Sequence, residues 1–412
     1  MKKLTSIQSF PLFIMNHIIN FGSDRISKNL ISLLLLANLF YTVVRYSREI
    51  TAGGNPYLTG DWLINYEGGY NGRGLFGQVI LWISDASNID LLWTIYTAQI
   101  LLYFIYFPIV ISIFRRIENP YVWMIGLSPS FIMFDFLDTG GAFRKELLGF
   151  ASLILVIHLI IRRTLRRSSM CMSIFLFIIF LFSWDAAFCF IPFYIYLFSI
   201  LRSNEIISKK FFSIFSVTFL ALGITSIIRA AYFLFHRPTS ISDGICRSLT
   251  DRDISPKICA GTIRSITELN TNSIDMVTTL FLKYHFELYF ILLLLGLVPF
   301  LLNGWLQTHM KITLMLFVSI FPLLITGADY GRWIHIFGTF VTLTWLIDEK
   351  KLSIPTVHFK TRTIMTTQTL QFLILSFIFT TIWRIPVVWG TPQDSLLGIA
   401  GRMISWLAYW NS

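Results

Sequence analysis

The sequence predicts an all-α fold: a polytopic transmembrane helical bundle of about eleven spans, with outer-face loops and short interfacial helices. Three observations carry that expectation. Of 412 residues, 55% are hydrophobic and only 13% are charged, where a soluble domain carries about 25% charged residues. Long apolar runs recur along the whole chain, and 39 phenylalanines suit helices that face lipid. The basic residues gather in short loops between those runs, so the net charge of +11 reflects membrane topology and not nucleic-acid binding. Without a fixed-period repeat or a low-complexity linker, residues 1–412 read as a single integral membrane domain.

Residues 1–28 are polar and mixed, and the first apolar run lacks a small-residue cleavage site, so no removable signal segment is expected. Spans are expected at 29–47, 90–114, 119–137, 145–161, 169–183, 186–201, 211–235, 285–303, 311–327, 330–347 and 365–384. At ~1.5 Å rise per residue each crosses or nearly crosses the hydrocarbon. Leu75–Ile83 is too short to span and reads as a re-entrant or interfacial helix inside a first outer loop, 48–89. A long outer loop follows at 236–284.

With the N-terminus cytoplasmic, the inner loops hold eighteen basic residues and five acidic ones. The rest of the chain holds fifteen basic and seventeen acidic. The positive-inside rule then places the C-terminus outside after an odd number of spans. Cys246 and Cys259 fall in the long outer loop, where an oxidising compartment favours a disulfide between them over two free thiols. Cys171 and Cys189 lie in or near spans and read as small apolar residues.

Charged residues recur at the outer ends of the helices. The stretch GDWLINYEGGYNGRGLFGQ (60–78) carries Asp61, Glu67 and Arg73 among glycines and aromatics. FDFLDTGGAFRKELLGF (134–150) carries Asp135, Asp138, Arg144, Lys145 and Glu146, and Asp185 sits in a short outer turn. ADYGRW (328–333) brings Asp329 and Arg332 to the start of a span. Singly, each has a plain structural role: Asp138 or Thr139 as a helix cap, Asp185 as a turn residue, Asp329 and Arg332 as a local ion pair. Together, ionisable groups at several outer helix ends point to one shared site, because each is costly inside a membrane. Arginine grips phosphate bidentately, and carboxylates bind sugar hydroxyls or act as a general base. No phosphate-cradling loop, HExxH or GxSxG is present. The seven histidines lack metal-ligand spacing, so neither cofactor nor metal is expected.

GDWLINYEGGYNGRGLFG, GGAFRKE and ADYGRW on a phenylalanine-rich bundle resemble the charged outer-face segments of Wzy-type O-antigen and capsule polysaccharide polymerases. More broadly they resemble the GT-C-like membrane glycosyltransferases of bacteria. The arginine-ten-residues-glycine pattern of some polymerases is absent from the outer loops. The resemblance implies polymerisation of polyprenyl-diphosphate-linked repeat units at the outer face of the inner membrane. A flippase and a chain-length regulator would be partner proteins, and no nucleic acid would be involved. In that scheme Asp61 or Glu67 activates the acceptor hydroxyl. Arg73, Arg144 and Arg332 bind the diphosphate, and Asp135, Asp138, Lys145, Glu146, Asp185 and Asp329 complete the substrate site. The alternatives are a GT-C enzyme that adds one sugar from a polyprenyl-phosphate donor and, third, a lipid-linked sugar flippase or exporter.

Overall fold

A computed structural model of the chain describes residues 25–117, 119, 121–138, 140–235, 240–267, 286–326, 329–352, 367–387 and 398. Both termini, and with them the expected orientation of the chain ends, lie outside the described residues. Among the described residues every regular element is helical.

Helix α1 (Arg25–Thr51) leads into two short helices of the first loop, α2 (Leu58–Trp62) and α3 (Leu75–Ser87). Next comes α4 (Leu91–Phe114), capped by Asp90, whose carboxylate accepts from the Leu92 and Trp93 amides. Two single-turn helices follow, α5 (Val122–Gly126) and α6 (Met133–Leu137), before the antiparallel pair α7 (Glu146–Arg162) and α8 (Arg167–Ser183). A 3-10 turn, Asp185–Phe190, opens directly into α9 (Ile191–Ser203). The chain then forms α10 (Lys209–Phe235), α11 (Ser240–Thr250), α12 (Phe286–Leu302), α13 (Trp305–Thr308), α14 (Met310–Thr326), α15 (Tyr330–Leu352) and α16 (Thr367–Thr381).

Among the described residues, four helical stretches are long and apolar enough to cross a membrane: Asn29–Thr51, Leu91–Phe114, Asp185–Ser203 and Lys209–Phe233. These mark the chain as a membrane protein. Several of the other expected spans end at 17 residues, and α15 carries Arg332 near one end and Asp348, Glu349, Lys350 and Lys351 near the other. The expected span 119–137 is not one helix. Pro129 has no amide hydrogen and keeps Ser128 out of helical geometry, so the run breaks into α5 and α6. The break is buried, with Ser128 and Ser130 hydroxyls bonded to each other at 2.9 Å. Non-helical backbone at membrane depth is tolerated where protein covers it.

Helix α7 is the axis of the bundle. Apolar on every face, it is covered on all sides; Leu148, Leu153, Ile154 and Val156 are wholly buried. Small residues bring α8 close. The Ser152 hydroxyl donates to the Ser173 carbonyl at 2.6 Å, and Ser173 returns the bond to the Ser152 carbonyl at 2.9 Å. On its other flanks α7 packs against α4, α9 and α15. Phe40 on α1, Val217 and Ile228 on α10 and Phe377 on α16 lie on exposed faces more than 60% accessible, as side chains facing lipid must.

Candidate functional site

The site lies at the end of the bundle where the first loop, the 140–146 segment and the starts of the Asp185 turn and α15 meet. Helix α2 is fully buried there, with Trp62 wholly inaccessible and Asp61 3% exposed. Glycine in this loop permits close packing by the chain's own second loop. A Cβ on Gly68 would sit 2.1 Å from the Ile241 carbonyl oxygen, so only hydrogen fits there. The covering unit, 240–267, is closed by a disulfide between Cys246 and Cys259, whose Cα atoms are 5.9 Å apart. Residues 236–239 and 268–284 of the expected outer loop lie outside the described residues.

Phe143 sets the aim of the residues after it. Its φ of 54° is left-handed, a conformation that costs a bulky residue on the order of 1–3 kcal/mol. Three side chains hold it there. Trp62 Nε1 and Gln99 Nε2 (3.0 Å) donate to its carbonyl, and its amide donates to the Tyr103 hydroxyl at 3.2 Å. Tyr103 in turn donates to Asp135 Oδ2 at 3.0 Å. The chain therefore delivers Arg144, Lys145 and Glu146 to the cluster from a fixed pivot.

Lys145, completely buried, stands 3.7 Å from Asp61 Oδ1 and donates to the Arg73 carbonyl at 3.0 Å. Arg73 Nε pairs with Asp185 Oδ2 at 2.7 Å. Arg332 grips Glu146 through Nε at 2.8 Å and pairs on its other side with Asp329. Arg144 Nη2 lies 3.5 Å from Asp329 Oδ2, and its Nη1 donates to the Tyr57 carbonyl. Four cations thus face four carboxylates. Burial would raise Asp61, yet Lys145, Arg144, Arg332 and Arg73 together hold it below the ordinary carboxylate value. Asp61 is therefore a fixed anion at neutral pH.

Part of the cluster borders a cleft. This small cleft of about 30 Å³ is lined by Asn71, Gly72, Arg73 and Asp185 with Phe233 of α10 and Ile241 of α11. The side chains of Arg73 and Asp185 are 32% and 22% exposed there, whereas that of Asp61 is 4% exposed. Asp185 Oδ1 is buried against Gly72 and has no hydrogen-bond partner among the described residues. Tyr66 stacks on Tyr70 at 5.8 Å, and Tyr70 contacts Phe233 at 5.7 Å, giving the cleft an aromatic border.

Of the residues read from the sequence, Asp61, Arg73, Arg144, Lys145, Glu146, Asp185, Asp329 and Arg332 come together. Glu67 does not; it is exposed and accepts from Gln78 Nε2 at 3.2 Å. Asp135 lies beneath the cluster as the partner of Tyr103. Asp138 is a turn residue, accepting from the Gly140 and Val387 amides at 3.0 Å each. Trp62, Gln99 and Tyr103 have a part that sequence reasoning missed. The available signal was Gln99, a polar side chain inside an apolar span. Among the described residues no group of three or more His, Cys, Asp or Glu side chains is placed to hold a metal ion. No family model, curated protein or solved structure matches the chain.

Proposed function

We propose that the chain is a membrane glycosyltransferase that polymerises polyprenyl-diphosphate-linked oligosaccharide repeat units, of O-antigen or capsule type, at the outer face of a bacterial inner membrane. The observation that supports this reading is the convergence of four cations and four carboxylates from four separate stretches on one end of the bundle, beside an aromatic-bordered cleft. Of the carboxylates, Asp185 is the one that lines the cleft, with a buried Oδ1 that has no hydrogen-bond partner among the described residues, and it takes the role of base. An acceptor hydroxyl gives its proton to Asp185 as its oxygen bonds to the anomeric carbon of the donor. The bond from that carbon to the diphosphate breaks, and its electron pair leaves with the diphosphate. Arg73 stabilises that growing charge. Asp61, held as an anion, fixes Lys145 and through it the Arg73 backbone.

A second reading is a GT-C enzyme that adds a single sugar from a polyprenyl-phosphate donor. It is favoured by the placement of Asp61 on a short helix directly after the first span, with the amphipathic α3 next in the chain. In both readings about eleven spans cross the membrane, the N-terminus is cytoplasmic and the C-terminus is periplasmic, and a flippase supplies the substrate. Purified protein incubated with a lipid-linked repeat unit distinguishes the two: a ladder of products supports the polymerase, and one added unit supports the single-sugar transferase. No transfer from either donor class removes both readings.

A further inference from the structure

Arginine 229 stands outside the neutral cluster, in the last two turns of α10, next to the cleft. Its surroundings are apolar: Ile224, Ile227, Ile228 and Tyr232 on the same helix are about half or more exposed, as on a lipid-facing surface. Each of Arg73, Arg144, Lys145 and Arg332 has a carboxylate within 4 Å. Arg229 has none among the described residues. Its Nη2 donates to the Leu181 carbonyl at the end of α8 and to the Ser226 hydroxyl at 3.5 Å, its guanidinium lies 5.2 Å from the Phe182 ring centroid, and its buried Nε has no partner among the described residues. A helix C-terminus offsets only a fraction of one charge. Phe233, which lines the cleft, follows Arg229 by four positions and so shares its face of α10. The Tyr66 hydroxyl, raised first by burial, also feels both Arg229 and Asp185, so the three groups share one neighbourhood.

A guanidinium without a carboxylate partner among the described residues, on a lipid-facing helix one helical turn from the cleft, calls for an anion that arrives within the membrane plane. We infer that Arg229 binds the phosphate of a membrane lipid, holding its headgroup at the α8–α10 side of the cleft while its apolar tail stays in the bilayer. Resting on the proposed function, the lipid is the prenyl-diphosphate substrate, with Arg229 and Arg73 on its two phosphates. The same chemistry would also hold the phosphate of an ordinary anionic phospholipid.

The test uses the full chain in phosphatidylcholine nanodiscs with radiolabelled farnesyl diphosphate as the probe. Inorganic diphosphate and phosphatidylglycerol serve as competitors. Arg229→Gln keeps an N–H donor for the Leu181 carbonyl and removes the charge; Arg229→Ala removes both, and Arg229→Lys keeps the charge. The expected result is binding at least tenfold weaker in Arg229→Gln, with an unchanged thermal midpoint and partial recovery in Arg229→Lys. Inorganic diphosphate should compete poorly because it brings no tail. If Arg229→Gln bound the probe like the wild type, Arg229 would serve only the end of α8 and the inference would be overturned. If phosphatidylglycerol displaced the probe at equal concentration and was itself lost in Arg229→Gln, the lipid-phosphate site would stand while its link to glycan transfer would fall.

Discussion

Lys145 and Asp61 form the most deeply buried ion pair of the cluster, and removing one partner should be expensive. Lys145→Met keeps most of the side-chain volume but deletes the ammonium 3.7 Å from Asp61 and the donor 3.0 Å from the Arg73 carbonyl. Breaking a buried pair costs about 3–5 kcal/mol, because one charge stays behind without its partner. Three arginines still act on Asp61, so the lower end, about 3 kcal/mol, is expected here. The double variant Asp61→Asn/Lys145→Met leaves no stranded charge and should recover at least half of that loss. Reversible SDS unfolding followed by tryptophan fluorescence gives the four free energies of the cycle. A Lys145→Met variant within about 0.5 kcal/mol of wild type, or a double variant as unstable as the sum of the singles, would refute the reasoning.

Three other outcomes are expected. Arg332→Ala should reduce the amount of folded protein as well as activity, since it strands Glu146 and takes one of two arginines from Asp329, whereas Arg73→Ala, at a 32% exposed side chain, should keep near-normal levels on immunoblots. Tyr103→Phe leaves the Phe143 amide and Asp135 without their shared hydroxyl and should cost about 1–3 kcal/mol per orphaned group, read as a lower unfolding midpoint. Replacing Cys246 and Cys259 by serine should cost up to about 3 kcal/mol on the chain-entropy model and expose the 240–267 unit to protease.

Much of the site was legible because charge in an apolar chain is rare. Arg144, Lys145, Glu146, Asp185, Asp329 and Arg332 stand out against phenylalanine and leucine, and the cost of burying them predicts that they meet. Their pairing was not legible. Arg332 and Asp329 do form the local pair that three-residue spacing suggests, but Glu146, 186 positions away, is the more buried partner. Glycine lets a backbone approach a ligand closely, yet at Gly68 the space is taken by the chain's own Ile241 backbone. The left-handed Phe143 left no mark in the sequence, because side chains from two other elements impose it. The expected spans were read from apolar runs, and hydropathy alone does not register how Pro129 divides 119–137 into two turns. Arg229 escaped notice because a single arginine in a long apolar helix reads as a snorkelling residue until its neighbours are known.

On the proposed function, Arg73 and Asp185 face the substrate while the charges behind them hold those two in place. The most direct measurement is the glycan ladder made by cells carrying Asp185→Asn, compared with wild type at equal protein level on immunoblots. The swap keeps side-chain size and leaves Oδ1 or a similar acceptor against Gly72, but it removes the base. Loss of all chains longer than one repeat unit, at normal protein level, is the predicted result. A full-length ladder from Asp185→Asn would contradict the account and leave the Arg73–Asp185 pair as a purely structural contact.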